Sequence, residues 1–353
     1  MLLLPAWAII SIFWSSDPLG TARYSLQLAL TCLGGVAIAA LVPPRRFVLL
    51  LFGATFLFAL VCIASRRTGP AADGMVLVGL TGSKNQLSYV GQMLISTALA
   101  VGVDRERHLG WRALTLPALV VGAYLVLVTK SATGVLTAAL AAALFIGFVV
   151  YRATAPSLRA WLLIATGVAA LGLAVAGVFA VGGGGLDSFR RDVLHKDATL
   201  TGRTLLWSVA SDAIAQRPVL GHGYKAFWTS GDTNAIGLLR SVNVTDARGF
   251  GFQDTYREIT VDLGVTGLAL LALATVPAFL RLLGRELSRP DHVEAFLAVT
   301  AVIFVIRSTV DMSVEPMYIY TTLIYALCGY GLKRRDPATA AGRLSVMEPS
   351  HAV

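Results

Sequence analysis

A bundle of α-helices that crosses a membrane many times, an all-α polytopic fold, is what this sequence predicts, and three observations predict it. Of 353 residues, 56% are hydrophobic and only 14% charged, against roughly 45–50% and about 25% in soluble domains. Mean hydropathy is +0.71. Apolar stretches recur along nearly the whole chain at about the length that crosses a bilayer as a helix, and they lack the alternation that barrel strands would show.

Breaks at charged and Pro/Gly-rich positions divide the chain into about ten spans, at residues 2–14, 24–42, 47–64, 86–103, 113–129, 132–151, 160–181, 259–280, 293–306 and 316–332. The first is short; it has neither a basic n-region nor a small-residue cleavage site and reads as a helix rather than a signal peptide. Residues 1–181 thus form an N-terminal bundle and 182–258 a large polar loop. Residues 259–332 form the C-terminal helices and 333–353 a polar tail.

Orientation follows from the loops. With the N-terminus inside, the inner loops hold Arg45, Arg46, Arg105, Arg107, Arg112, Arg152, Arg159, Arg281, Arg285, Arg289, Lys333, Arg334, Arg335 and Arg343. The short outer loops hold only Arg23, Arg66, Arg67, Lys84, Lys130 and Arg307. Basic residues collect on the cytoplasmic side, so both termini are expected there, and the same bias accounts for the net charge of +9 without nucleic acid as a partner.

Segment 182–258 then lies outside. It opens on Gly182-Gly183-Gly184-Gly185; further on, Leu205, Leu206, Val209, Ala210, Ala213 and Ile214 share one helical face and Pro218 ends the run. An amphipathic helix over 204–216, capped near Thr201 or Thr204, is expected to lie on the bundle or the membrane surface. An outer loop that folds is a candidate cover for an active site.

Charge at membrane depth is costly and marks function. The outer face gathers Arg66, Arg67, Lys84, Lys130 and Arg307, and the loop adds Arg190, Arg191, Arg203, Arg217, Lys225, Arg240, Arg248 and Arg257. Some of these side chains snorkel at helix ends, but Lys130 sits in a turn too tight for that. A cationic surface of this kind suits a polyanion, and guanidinium matches phosphate bidentately. The acids and bases on the same face are Asp17, Asp187, Asp192, His195, Asp212, His222, Asp232, Asp246, Asp254, Glu258, Asp311 and Glu315, and spacing alone does not choose among them. No HExxH, GxSxG, Walker A or GxGxxG stands in a fitting context, and Cys32, Cys62 and Cys328 all fall in apolar stretches, so neither a metal, a cofactor nor a disulfide framework is expected.

Thr201-Gly202-Arg203-Thr204-Leu205-Leu206-Trp207 followed by Gln216-Arg217-Pro218-Val219-Leu220-Gly221-His222-Gly223-Tyr224-Lys225-Ala226-Phe227-Trp228 resembles a stretch of the O-antigen ligase and polymerase superfamily, and within it the exopolysaccharide polymerisation proteins of the ExoQ type. Trp14-Ser15-Ser16-Asp17-Pro18, Gly82-Ser83-Lys84-Asn85-Gln86-Leu87, Thr129-Lys130-Ser131-Ala132-Thr133 and Asp262-Leu263-Gly264-Val265-Thr266-Gly267-Leu268 agree in order. The resemblance covers roughly residues 10–285 and is specific for the superfamily rather than for a substrate.

The resemblance implies a GT-C-like membrane glycosyltransferase of the bacterial inner membrane that works on the periplasmic side without a cofactor. Such proteins move a glycan from an undecaprenyl-diphosphate carrier to a growing chain or, as ligases, to lipid A core or protein. Membrane lipids surround them, and chain-length or export proteins are candidate partners. Arg203, Arg217, Lys84, Asn85, Lys130, Tyr256 and Tyr224 are the residues it offers for binding glycan and diphosphate. Arg203 and Arg217 are favoured for the diphosphate, and the four cations are expected to line one cavity.

Two departures stand out. The family's His-Asn-x-Tyr-Leu-Glu segment reads Gln253-Asp254-Thr255-Tyr256-Arg257-Glu258 here. The histidine that activates the acceptor is therefore missing, and Asp254, Glu258 or His222 is left as the base, unless this copy is inactive. Relatives also carry one or two more spans ahead of the Trp14 motif, where this sequence has a single short one. A small-anion transporter is the reading of another class; it predicts charges in mid-span and paired broken helices.

Overall fold

The computed structural model describes residues 1–71, 74–159, 161, 165, 172, 197–228, 235–237, 250–288 and 291–333. The expected span at 160–181 lies almost wholly outside these, as do the cations and acids between 182 and 196 and between 238 and 249, and the tail from 334.

The described chain is mostly helical. Helix α1 (Leu3–Ile10) continues as a 3-10 turn to Trp14; α2 is Pro18–Leu41 and α3 Pro44–Ser65. Then come α4 (Lys84–Val103), α5 (Leu109–Ala113), α6 (Thr115–Val128), α7 (Ala132–Ala153) and α8 (Asp197–Gln216). The series ends with α9 (Thr255–Ser288), α10 (His292–Arg307) and α11 (Ile319–Leu332). Helices α2, α3, α4, α5 with α6, α7 and α9 are each long and apolar enough to cross a membrane, six candidate spans among the described residues, and α1 with its turn and α11 are shorter apolar helices.

Local sequence sets the helix starts. Pro18 opens α2 behind Asp17, whose side chain accepts from Gly20 N at 3.0 Å; Ser131 caps α7 by accepting from Gly134 N at 3.2 Å. Packing pairs α4 with α6 and α7, α2 with α11, and α9 with α10 and α11. Gly91 of α4 faces Gly122 of α6 so closely that a Cβ on Gly91 would lie 2.8 Å from the Gly122 carbonyl oxygen. Small residues let backbones approach in this way where lipid supplies no hydrophobic drive.

Three features differ from expectation. Residues Thr68–Ala71 and Gly74–Leu77 pair as an antiparallel hairpin, β1 and β2, with Thr68 opposite Leu77. Helix α8 begins at Asp197, before either expected cap; Leu206, Ala210 and Ala213 are buried while Leu205 is exposed. Helix α9 begins at Thr255, which puts Glu258 in its first turn rather than at the close of a loop. It also carries a break at Gly264 (φ +69°, ψ −175°), where a Cβ would lie 2.0 Å from the Val219 carbonyl oxygen, so only glycine fits.

The loops sort to two ends of the bundle. At one end residues 11–17, 217–228, the start of α9 and 308–318 touch one another, and Arg307 of α10 reaches Thr137 of α7. At the other, Asp104 and Arg107 of the α4–α5 loop meet Arg45 and His292, and Arg285 meets Lys333.

Candidate active site

The motif segments converge at the first end. Residues 218–223 lie along the break in α9: Val265 N donates to Pro218 O at 2.8 Å, His222 N to Val261 O at 2.9 Å and Gly223 N to Asp262 O at 2.9 Å. The Trp14 segment closes over them, with Trp14 Nε1 donating to Leu220 O at 3.0 Å and Tyr224 N to Ser11 Oγ at 3.0 Å. Trp207 of α8 donates through Nε1 to Phe252 O at 3.0 Å, which ties the helix to the Gln253–Glu258 segment. On the opposite flank Ser131 Oγ donates to Asn85 Oδ1 at 2.9 Å and joins the other two motifs.

At the centre, Lys225 Nζ donates to Glu258 Oε1 at 2.9 Å and to Glu315 Oε1 at 2.6 Å. The three side chains are 11%, 3% and 16% exposed, so a mixed cluster is buried with a narrow opening to solvent. Burial opposes the Lys225 charge, but Glu258, Glu315 and Asp262 more than offset it and hold the ammonium well above the usual lysine range. Burial pushes the Glu315 carboxyl above its usual range; Lys225 draws it back and Glu258 raises it again. Buried Asp262 Oδ2 and the Tyr224 hydroxyl find no hydrogen-bond partner among the described residues. Buried polar groups are rarely left so, and a ligand or water is their usual complement. The backbone is strained around the cluster: Lys225, Gln253 and Met317 sit at φ +59°, +55° and +56°, a conformation that non-glycine residues keep mainly where the surroundings enforce it.

Next to it Arg307 is buried, donating to Asp311 Oδ2 at 2.8 Å and Thr137 Oγ1 at 3.4 Å, with its guanidinium 4.5 Å from the Tyr89 ring centre. Thr255 links the two clusters: its hydroxyl donates to Asp311 O at 2.8 Å and its N–H to Ser308 O at 2.8 Å.

Of the three residues left as the base, Asp254, Glu258 and His222, Glu258 alone joins the central cluster, where it shares Lys225 with Glu315. Asp254 caps α9, accepting from Tyr256 N at 2.9 Å and Arg257 N at 3.0 Å and pairing with the Arg257 guanidinium, which also stacks on Trp207. His222 is buried, with Nε2 3.0 Å from Ala213 O, and it fixes α8 to the loop.

Among the binding residues, Tyr224 is buried beneath the cluster, and Tyr256 donates to Val305 O at 3.2 Å above an apolar cavity of about 240 Å³ between α9 and α10. Lys84 and exposed Lys130 (φ +48°) stand beside the Asn85–Ser131 bond, while exposed Arg217 reaches Trp14 O at 3.4 Å. Arg203 lies within α8, its side chain outside the described residues, 14 positions or roughly 20 Å along the helix from Arg217. No hydrogen bond joins Lys84 or Lys130 to Arg217 among the described residues. Asp262 was legible only as part of a motif, and the Arg307–Asp311 pair only as an i, i+4 spacing.

Residues 117–272 match the family model described as O-antigen ligase. The exopolysaccharide production protein ExoQ of Rhizobium meliloti (strain 1021) is 33% identical over 334 residues, 92% of this chain and 74% of that protein. The chain belongs to the O-antigen ligase and polymerase superfamily. With its apolar helices, this makes it a multi-pass membrane protein with a polysaccharide polymerase or ligase role. In this superfamily member the matched region runs through the α6–α7 turn and the Lys225 loop to the break in α9, the segments that build the site. Glu315 and Arg307 lie beyond residue 272, outside the matched region.

Proposed function

We propose that the protein polymerises oligosaccharide units carried on undecaprenyl diphosphate, at the periplasmic face of the bacterial inner membrane. The observation that carries this is Lys225, buried between Glu258 and Glu315 where the family segments meet. A site with both cation and carboxylate can meet the two demands of the reaction. One is to take a proton from an acceptor hydroxyl, the other to stabilise the charge that develops on the departing diphosphate. Exposed Arg217 and Lys130, with Arg203 and Lys84, are the groups offered to the diphosphate, in place of a metal ion. The excess of Lys and Arg in the loops at the Asp104 end supports placing that end, and both termini, in the cytoplasm. Arg152 at the close of α7 lies near Glu286 at that same end, whereas α8 packs at the other. This supports the expected span at 160–181 and a total of about ten in a GT-C-like bundle. Transfer of the finished glycan to lipid A core or to protein is the ligase form of the same chemistry, and chain-length or export proteins would be its partners.

A small-anion transporter draws support from the break in α9 beside buried charge. Among the described residues it is one break without a counterpart, and the Pro218–Gly223 backbone packs into it. The test is to reconstitute the purified protein with undecaprenyl-diphosphate oligosaccharide and look for longer products. Extension that falls on Arg203→Ala or Arg217→Ala is expected. Unaltered product ladders would remove those two from diphosphate binding, and absence of any extension would overturn the reading.

A further inference from the structure

We infer that Glu315, on the α10–α11 loop, is the group that takes the proton from the acceptor hydroxyl, the task the missing family histidine would perform. This rests on the polymerase or ligase reading above. Among the described carboxylates around the cluster, Glu258, Asp254 and Asp311 have both oxygens engaged, and Asp262, whose Oδ2 has no partner, is only 1% exposed. Glu258 spends Oε1 on Lys225 and accepts from Phe252 N at 2.8 Å through Oε2; Asp254 spends one oxygen on the start of α9 and the other on Arg257. Asp311 holds Arg307 with one oxygen and accepts from Met312 N at 2.9 Å with the other. Glu315 engages only Oε1 among the described residues, and its side chain is 16% exposed against 3% for Glu258.

Its backbone is fixed: Glu315 N donates to Thr321 Oγ1 at 2.8 Å, and that hydroxyl donates to Glu315 O at 2.7 Å. Two residues on, Met317 N donates to Thr31 Oγ1 of α2 at 2.9 Å and holds a positive φ. A base held rigidly on one oxygen with the other free is the arrangement general-base catalysis asks for. The groups facing it are Lys225 and Tyr224 from the 217–228 loop, Glu258 and Asp262 from α9, and Asp311 and Tyr318 from the segment that carries it. Burial and Glu258 both favour proton uptake, and Lys225 opposes it.

In the step, the acceptor oxygen bonds to the anomeric carbon as the carbon–oxygen bond to phosphate breaks. The bonding pair leaves with the diphosphate, and the hydroxyl proton passes to Glu315 Oε2.

The test follows extension of undecaprenyl-diphosphate oligosaccharide by the full chain in proteoliposomes from about pH 4 to 9, for wild type, Glu315→Gln and Glu315→Asp. Glu315→Gln is expected to lose about 10²–10⁴-fold in rate and to lose the acid limb of the profile. Glu315→Asp is expected to be slower yet to keep that limb, which settles the matter if the Gln variant fails to fold. An active wild type with either variant matching it in rate and pH profile overturns the role of Glu315 alone. An inert wild type overturns the functional reading and this inference with it.

Discussion

The two ends of the bundle both carry charge, and they handle it in opposite ways. At the Asp104 end the acids of the α4–α5 loop are matched by cations: Asp104 accepts from Arg107 Nε at 3.1 Å and lies 3.2 Å from His292 Nε2, and Arg45 pairs with Glu106 at the surface. Burial alone would raise the Asp104 carboxyl, but His292, Arg45, the Glu106 N–H and Arg107 more than offset this and hold it below the usual range. At the Lys225 end one ammonium sits between two carboxylates, with Asp262 Oδ2 and the Tyr224 hydroxyl lacking a hydrogen-bond partner among the described residues. Matched charge at a helix end staples loops together. Mismatched charge kept from water costs stability and is retained where chemistry needs it.

The largest expected effect is from Lys225→Ala, which leaves buried carboxylates without a counter-ion; a loss of about 3–5 kcal/mol is expected from unfolding in detergent. A variant as stable as wild type would break the contrast between the ends. Gly264→Ala forces a Cβ onto the Val219 carbonyl at a positive φ, and the backbone alone costs about 1–3 kcal/mol; proteolysis at 218–223 should speed up. Asp104→Asn should cost about 1 kcal/mol at neutral pH. Because the folded Asp104 value is depressed, that contribution is complete above the unfolded value of about 3.9 and is lost as pH falls through the folded one, so variant and wild type converge in acid. Glu315 has the opposite sign. Its raised value gives stability that is complete below about 4.3 and is lost as pH rises through the folded value, so Glu315→Gln should flatten that decline in a pH series of melting curves. Arg217→Ala, at an exposed side chain with one long hydrogen bond, should change stability by no more than about 0.5 kcal/mol.

Much of the helical frame was legible because lipid as solvent imposes a simple rule on apolar runs. Six of the expected spans coincide with helices long enough to cross, their ends shifted by a few residues. The hairpin at 68–77 went unread although Asp73-Gly74 ahead of Met75-Val76-Leu77 is a hairpin signal. The cations gathered on the outer face point to the Lys225 end of the bundle without ranking its residues. Lys225 stood among many loop cations, and nothing local links it to carboxylates 33 and 90 positions away. Asp254 and His222 were attractive as bases from their motif positions. In the structure Asp254 starts α9 and His222 Nε2 anchors α8, roles visible only when the backbone they serve is in place.

The central claim is that chemistry belongs to the Lys225 end, while the Asp104 end holds loops together and takes no part in it. The direct measurement is glycan extension from undecaprenyl-diphosphate oligosaccharide by Glu258→Gln and Asp104→Asn, two isosteric changes compared at equal amounts of folded protein. Glu258→Gln is expected to lose about 10²-fold or more in rate, and Asp104→Asn to stay within about twofold of wild type. Equal rates for the two, or a greater loss for Asp104→Asn, would contradict it.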